Sequence, residues 1–179
     1  MNKVVLALGL ALLAGQLWAQ TPRAVDGQSY LDQKEYVSQS GGFSIHPPAR
    51  WWASESNSNY LAKFSEPGYE AYIIIDSFKL NAPIHLDDDF IDYVGQQNSQ
   101  VKKTMPGFTV MSNRAVRVNG VSAYRTEAIF QAGPNKALLS IYYVPSSTRM
   151  FMVMTICPEV TARKWDPIFT ASVQTFTIK

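Results

Sequence analysis

Between residues 108 and 156, hydrophobic and polar positions alternate in four runs separated by turn residues, the period of two that marks β-strands. Asn119-Gly120 joins the first two runs, 108–118 and 121–131. Asn-Gly favours a two-residue hairpin because both central residues of a type I′ turn need positive φ. Ala132-Gly133-Pro134-Asn135 and Val144-Pro145-Ser146-Ser147 are the next two breaks, so the pattern predicts a four-stranded antiparallel meander. In its second strand Tyr124, Ala128 and Phe130 share one face while Arg125 and Glu127 share the other, as on a half-buried strand. The last two strands differ. Leu139, Ile141 and Tyr143 oppose Leu138, Tyr142 and Val144, and Met150, Met152, Met154 and Ile156 oppose Phe151 and Val153. Strands that are apolar on both faces need cover on both, which points to helices elsewhere in the chain.

Two segments supply helical periodicity. Over residues 86–103, Leu86, Phe90, Tyr93, Val94 and Val101 form an apolar stripe, with Asp87, Asp88 and Asp89 in the first turn and Lys102 and Lys103 in the last, where the helix dipole favours each sign. Pro106-Gly107 ends that helix. A second helical region begins at Pro158, with Trp165, Phe169, Val173 and Phe176 at spacings of three to four, and a break is expected at Asp166-Pro167. Upstream, residues 35–38 and 42–46 read as short strands around Gly41-Gly42, and Pro47-Pro48 stops the pairing. Residues 54–59 read as a polar loop. Residues 60–64 and 70–80 resume strand character about Glu66-Pro67-Gly68, and Tyr72-Ile73-Ile74-Ile75 is apolar on both faces, as in a central strand.

The ends and the composition set the address. Residues 1–19 have one lysine, an apolar run from Val4 to Ala14 and a small residue at Ala19, the layout of a cleaved secretory signal peptide. An uncleaved anchor is the alternative. Residues 20–34 are polar and without period and read as an arm; residues 35–179 read as a single domain. Removing Lys3 lowers the net charge from +2 to +1, too balanced for a nucleic-acid surface. The single Cys157 can form no internal disulfide, and at the end of an apolar strand it reads as a small buried hydrophobe rather than a reactive thiol. The mature chain is expected to contain no transmembrane segment.

Candidate chemistry is sparse. The two histidines, His46 and His85, lie outside any zinc-hydrolase or triad pattern, and no nucleophile elbow or glycine-rich phosphate cradle occurs. His85 with Asp87, Asp88 and Asp89 is the densest cluster of oxygen and nitrogen donors, but consecutive helical residues diverge by about 100° and cannot all face one ion. The helix dipole accounts for the aspartates, so no metal or cofactor is expected. Trp51, Trp52, Tyr60 and Tyr69, near strand ends and loops, are the candidate partner-binding residues, because such side chains concentrate at interface centres. Packing at the rim of the sheet is the alternative for them, with one of the two adjacent tryptophans plugging the end of the core and the other lying flat on the surface.

Gly42-Phe43-Ser44-Ile45-His46-Pro47 followed by Trp51-Trp52, the long helix, the Asn119-Gly120 hairpin, and the closing residues 168–178 with Ser172 and Phe176 together resemble the PsbP-like superfamily. That superfamily includes DcrB-type bacterial proteins, the Mog-type Ran-binding proteins and an extrinsic photosystem II subunit. The resemblance runs from about residue 35 to the end and implies an α+β fold, an antiparallel sheet covered by helices on both faces in an α/β/α sandwich. It also implies a non-enzymatic binding or assembly role, and it carries over no functional residue. The chain lacks the cysteine that lipid-anchored DcrB-type proteins carry at the cleavage site. The reading is an exported, periplasmic accessory or immunity-like module that binds another envelope protein. The alternatives are a protein released from the cell, a small-ligand or divalent-metal binder, and an unrecognised hydrolase.

Overall fold

The computed structural model describes residues 30–57, 60–68, 70–81, 84 and 88–179, and of residues 55–57, 88 and 89 the backbone. The segment 1–29, Tyr69, and His85 with Leu86 and Asp87 therefore lie outside the described residues, as do the side chains of Asp88 and Asp89. Ten strands and two helices follow one another as β1 (Tyr36–Ser38), β2 (Phe43–Ile45), β3 (Trp52–Asn57), β4 (Tyr60–Ser65), β5 (Tyr72–Lys79), α1 (Asp88–Thr104), β6 (Thr109–Val118), β7 (Val121–Ala132), β8 (Asn135–Pro145), β9 (Arg149–Pro158), α2 (Ala162–Val173) and β10 (Thr177–Ile178).

Seven strands form one antiparallel sheet in the order β3-β4-β5-β9-β8-β7-β6. The expected meander is β6 to β9. Its last strand closes on β5, and α1 carries the chain from β5 to the far edge at β6. Asn119 (φ 47°) and Gly120 (φ 80°) take the left-handed conformation of the expected two-residue turn. The turn is also held from outside: Asn119 Nδ2 donates to Thr177 Oγ1 at 2.8 Å, and Gln174 Nε2 donates to the Arg117 carbonyl at 2.8 Å.

Alternate residues of β8 and β9 divide between two hydrophobic clusters, as the period of two requires. Leu139, Ile141, Met150, Met152 and Met154 pack with Phe90, Val94 and Val101 of α1. Tyr142, Val144, Phe151, Val153 and Cys157 pack with Trp165, Phe169 and Val173 of α2, together with Phe43 and Ile45 of β2. The chain is thus an α+β fold, mostly antiparallel sheet with two helices.

Three expectations are corrected. In place of the loop expected over residues 54–59, its described part is paired strand, continuous from Trp52 to Asn57, with Trp52 opposite Ser65 and Asn57 opposite Tyr60. An edge strand needs backbone pairing rather than an apolar face, so its polar residues gave no period. The expected break at Asp166-Pro167 is absent, because α2 runs continuously through Pro167. A proline inside a helix costs about 3 kcal/mol, but Trp165, Phe169 and Val173 are buried on both sides of it, at about 1.5–3 kcal/mol each. Phe176 lies beyond the helix and precedes β10, which pairs with β2 (Thr177 opposite Ser44, Ile178 opposite Phe43). A separate three-stranded sheet, β1-β2-β10, results. Its turn admits only glycine at position 41, where an added Cβ would lie 2.5 Å from Ser38 Oγ and 2.7 Å from the Phe43 ring.

One carboxylate sits badly in this core. Asp76 is half-buried on β5, opposite Met152, and burial raises its pKa from the ordinary 3.8, partly offset by the Ser77 N–H donating to Oδ1 at 2.8 Å. A carboxyl raised in the folded state binds more protons folded than unfolded. It therefore favours folding below the unfolded value and opposes it as pH climbs through that value to the raised one. Asp76→Asn is expected to raise the melting temperature at pH 7 and to leave it unchanged near pH 3. An equal gain at both pH values would show that burial of charge is not the cause.

Candidate functional site

Four strands contribute one polar row and one charged row to the face packed by α2. Strand register aligns Ser112, Glu127, Ser140 and Thr155 across β6, β7, β8 and β9, and next to them Arg114, Arg125, Tyr142 and Val153. Polarity falls from the edge inward: charged on β6 and β7, hydroxyl-bearing on β8, apolar where the rows reach Ile73 and Ile75 of β5. Because α2 packs over the apolar end, burial along the rows, referred to below as the trough, rises inward from Arg114 (side chain 57% exposed) through Glu127 (24%) to Arg125 (10%).

Arg125 is the centre of the trough and is buried to 8% exposure. Its Nη2 lies 2.7 Å from Glu127 Oε1, 3.6 Å from Asp166 Oδ1 of α2, and donates to Ser140 Oγ at 3.1 Å. The guanidinium also lies over the Tyr142 ring, 5.1 Å from its centroid. Arg114 stands directly opposite Arg125, a like-charge pair that would be destabilising alone. Glu127 relieves it: its Oε2 accepts from Ser112 Oγ at 2.8 Å and lies 4.0 Å from Arg114 Nη2. Glu127 is committed to the inner arginine. Arg114, with its side chain 57% exposed, keeps only the long contact.

At the inner end is a cavity of about 10 Å³ lined by Arg125, Ser140, Thr155 and Cys157 from the sheet and by Ala162 and Asp166 from α2, about the room of one water. Among the described residues the buried Nε of Arg125 has no hydrogen-bond partner. Cys157 is buried, and burial, aided by the nearby Asp166 charge, pushes its thiol up to about 12 from the ordinary 9.0. A thiol so raised is almost wholly protonated at neutral pH, which suppresses the reactive thiolate. Maleimide labelling of the native protein at pH 8 is therefore expected to run on the order of 10³-fold slower than in 8 M urea. Labelling at comparable rates would place the thiol outside the core.

Of the sequence-predicted partner residues, the three described, Trp51, Trp52 and Tyr60, are not brought together. Trp51 packs edge-on against Trp165 and Phe169, with ring centroids 5.8 and 6.1 Å away, and so belongs to the α2 cluster. Trp52 is exposed, and Tyr60 packs on the α1 cluster. Trp52 and Tyr60 stand at opposite ends of the β3–β4 hairpin, five positions apart, roughly 17 Å. Tyr69 and the His85–Asp89 group lie outside what the structure describes. Among the described residues, no three of His, Cys, Asp and Glu are placed to hold a metal ion, and no helix is long and apolar enough to cross a membrane. The trough went unread because its signal is lateral: Arg125 and Glu127 marked a solvent face, but only register brings them beside Ser112, Arg114, Ser140 and Thr155.

No protein-family model matches the sequence, and no curated protein matches it. Solved structures do match its fold. Cyanobacterial PsbP (CyanoP) from Synechocystis sp. PCC 6803 superposes with a TM-score of 0.65 at 12% identity, over 89% of this chain and 98% of that one. LpqN of Mycobacterium tuberculosis, involved in cell envelope biogenesis, gives 0.60 at 13%, over 84% and 92%. The Ran-binding protein Mog1p of Saccharomyces cerevisiae gives 0.56 at 9%, over 83% and 96%. This chain therefore shares its fold with these three proteins.

Proposed function

We propose that the chain is an exported, non-enzymatic binding or accessory module of the bacterial cell envelope that acts on another envelope protein. The observation that carries this reading is the trough, whose charged side chains are fixed to one another within a built floor and which opens at the basic β6 edge. Two neighbours in fold are consistent with it: LpqN is involved in cell envelope biogenesis, and Mog1p is a Ran-binding protein. In this reading residues 1–19 are a signal peptide, residues 20–34 an arm, and residues 35–179 one domain that works in the periplasm. The split of β8 and β9 side chains between two clusters supports a three-layer arrangement with α1 and α2 over opposite faces. That arrangement commits the middle of the sheet to packing and leaves the edges and loops for recognition.

Affinity capture from envelope extract with the mature protein, followed by reconstitution of the purified pair, tests the reading. One envelope protein retained by the native chain and lost with Arg114→Glu/Arg117→Glu is the expected result. A melting temperature raised by a small molecule or by calcium, manganese or zinc, with no protein retained, would replace it with the ligand-binding alternative.

A further inference from the structure

We propose that β6 accepts an extended acidic segment of a protein partner as an additional antiparallel strand, with a partner carboxylate seated on Arg114; this rests on the binding-module reading above. β6 closes the seven-stranded order, so among the described residues its outward N–H and C=O groups meet no further strand. Ten residues long, it has side chains exposed on both faces from Thr109 to Arg117, apart from the half-buried Ser112 and Val116. The bulge between Val110 and Ser112 bends only its first part, and pairing with β7 is regular from Ser112 to Val118.

Charge selects the occupant. β6 carries Arg114 and Arg117 and no acidic residue, and the two arginines fall on opposite faces of the strand. A second copy pairing through β6 would bring arginines together with no carboxylate of its own to answer them, so the same residues that oppose self-pairing favour an acidic strand. An added strand would extend the row Arg125–Arg114 by one position, placing its side chain beside Arg114. That arginine is where the trough is electrostatically unfinished: Glu127 is held by Arg125 at 2.7 Å and reaches Arg114 only at 4.0 Å. Exposed Met111 and Val110 beside the bulge offer apolar contact at one end.

The probe is an eight-residue peptide alternating valine and glutamate, compared with its valine–lysine counterpart and with the valine–glutamate peptide N-methylated at alternate amides. Amide hydrogen exchange of the mature protein is read at residues 112–118. The valine–glutamate peptide is expected to slow exchange of alternate β6 amides at least tenfold, and the other two are expected to leave it unchanged. Arg114→Glu/Arg117→Glu should reverse the preference toward the lysine peptide, a gain that also shows the variant is folded. Protection on another element, protection indifferent to peptide charge or to N-methylation, or protection that grows with protein concentration alone would each overturn the proposal, the last in favour of a second copy. A partner captured from envelope extract that leaves β6 amides unprotected would sink the β6 site alone. An extract yielding no partner would sink the binding-module reading itself.

Discussion

Trp165→Ala is expected to lower the unfolding free energy by about 3–5 kcal/mol and the melting temperature by on the order of 10 °C. Trp165 is 3% exposed and is the first large side chain of α2 to enter the core. Trp51 meets it edge-on at 5.8 Å, Phe169 lies 6.4 Å away, and Lys164 Nζ covers its outer side 4.3 Å from a ring centroid. Removing it would open a cavity where Trp51, α2 and the sheet meet. The indole contributes area rather than a hydrogen bond, since among the described residues its buried Nε1 has no partner. Trp165→Phe is therefore expected to lose less than about half as much, because it deletes volume but leaves no polar group stranded. Urea unfolding of the two variants measures both. A loss under 1 kcal/mol for the alanine variant would mean that α2 is not anchored through this ring.

Arg125→Met comes second, with an expected loss of about 2–4 kcal/mol. The substitution keeps much of the side-chain volume but takes from the three-quarters-buried Glu127 its closest cation, leaving it Ser112 Oγ at 2.8 Å and Arg114 at 4.0 Å, and removes the donor to Ser140 Oγ and the link to Asp166 of α2. The penalty belongs mainly to the weakly paired carboxylate, so Arg125→Met/Glu127→Leu should recover most of the stability, with a coupling above about 1 kcal/mol in the double-mutant cycle. Additive losses in that cycle would show that the ion pair is not the unit that matters. The pair is a positioning device as well. It holds Glu127 away from Arg114, and Arg114→Glu should leave stability within about 0.5 kcal/mol because that side chain is mostly in water.

Much of the fold is legible from short-range pattern. The meander follows from alternation and turn chemistry, since a two-residue Asn-Gly turn fixes the register of β6 against β7 and the next turn fixes β7 against β8. Both apolar faces of β8 and β9 are buried, each in its own hydrophobic cluster. Misreadings occurred where a local signal competed with tertiary packing. Pro167 signals a break that Trp165, Phe169 and Val173 override by burying together. The polar residues after Trp52 signal a loop because an edge strand shows no hydrophobic period. The expected split of the adjacent tryptophans into a core plug and a surface ring does occur, and only the tertiary structure assigns Trp51 to the core and Trp52 to the surface.

The trough was not legible at all. Ser112, Arg114, Arg125, Glu127, Ser140 and Thr155 come from four strands, and along the chain they look like unrelated polar positions. By itself the sequence determined the strands of the meander, the first helix and the apolar faces to be covered, because these depend on propensity and on periods of a few residues. The tertiary structure alone decided that β9 closes on β5, that the last residues turn back to β2, and that two arginines share one glutamate at the edge of the sheet. Those features depend on which distant strands become neighbours, and that is settled by burying both clusters at once rather than by any local preference.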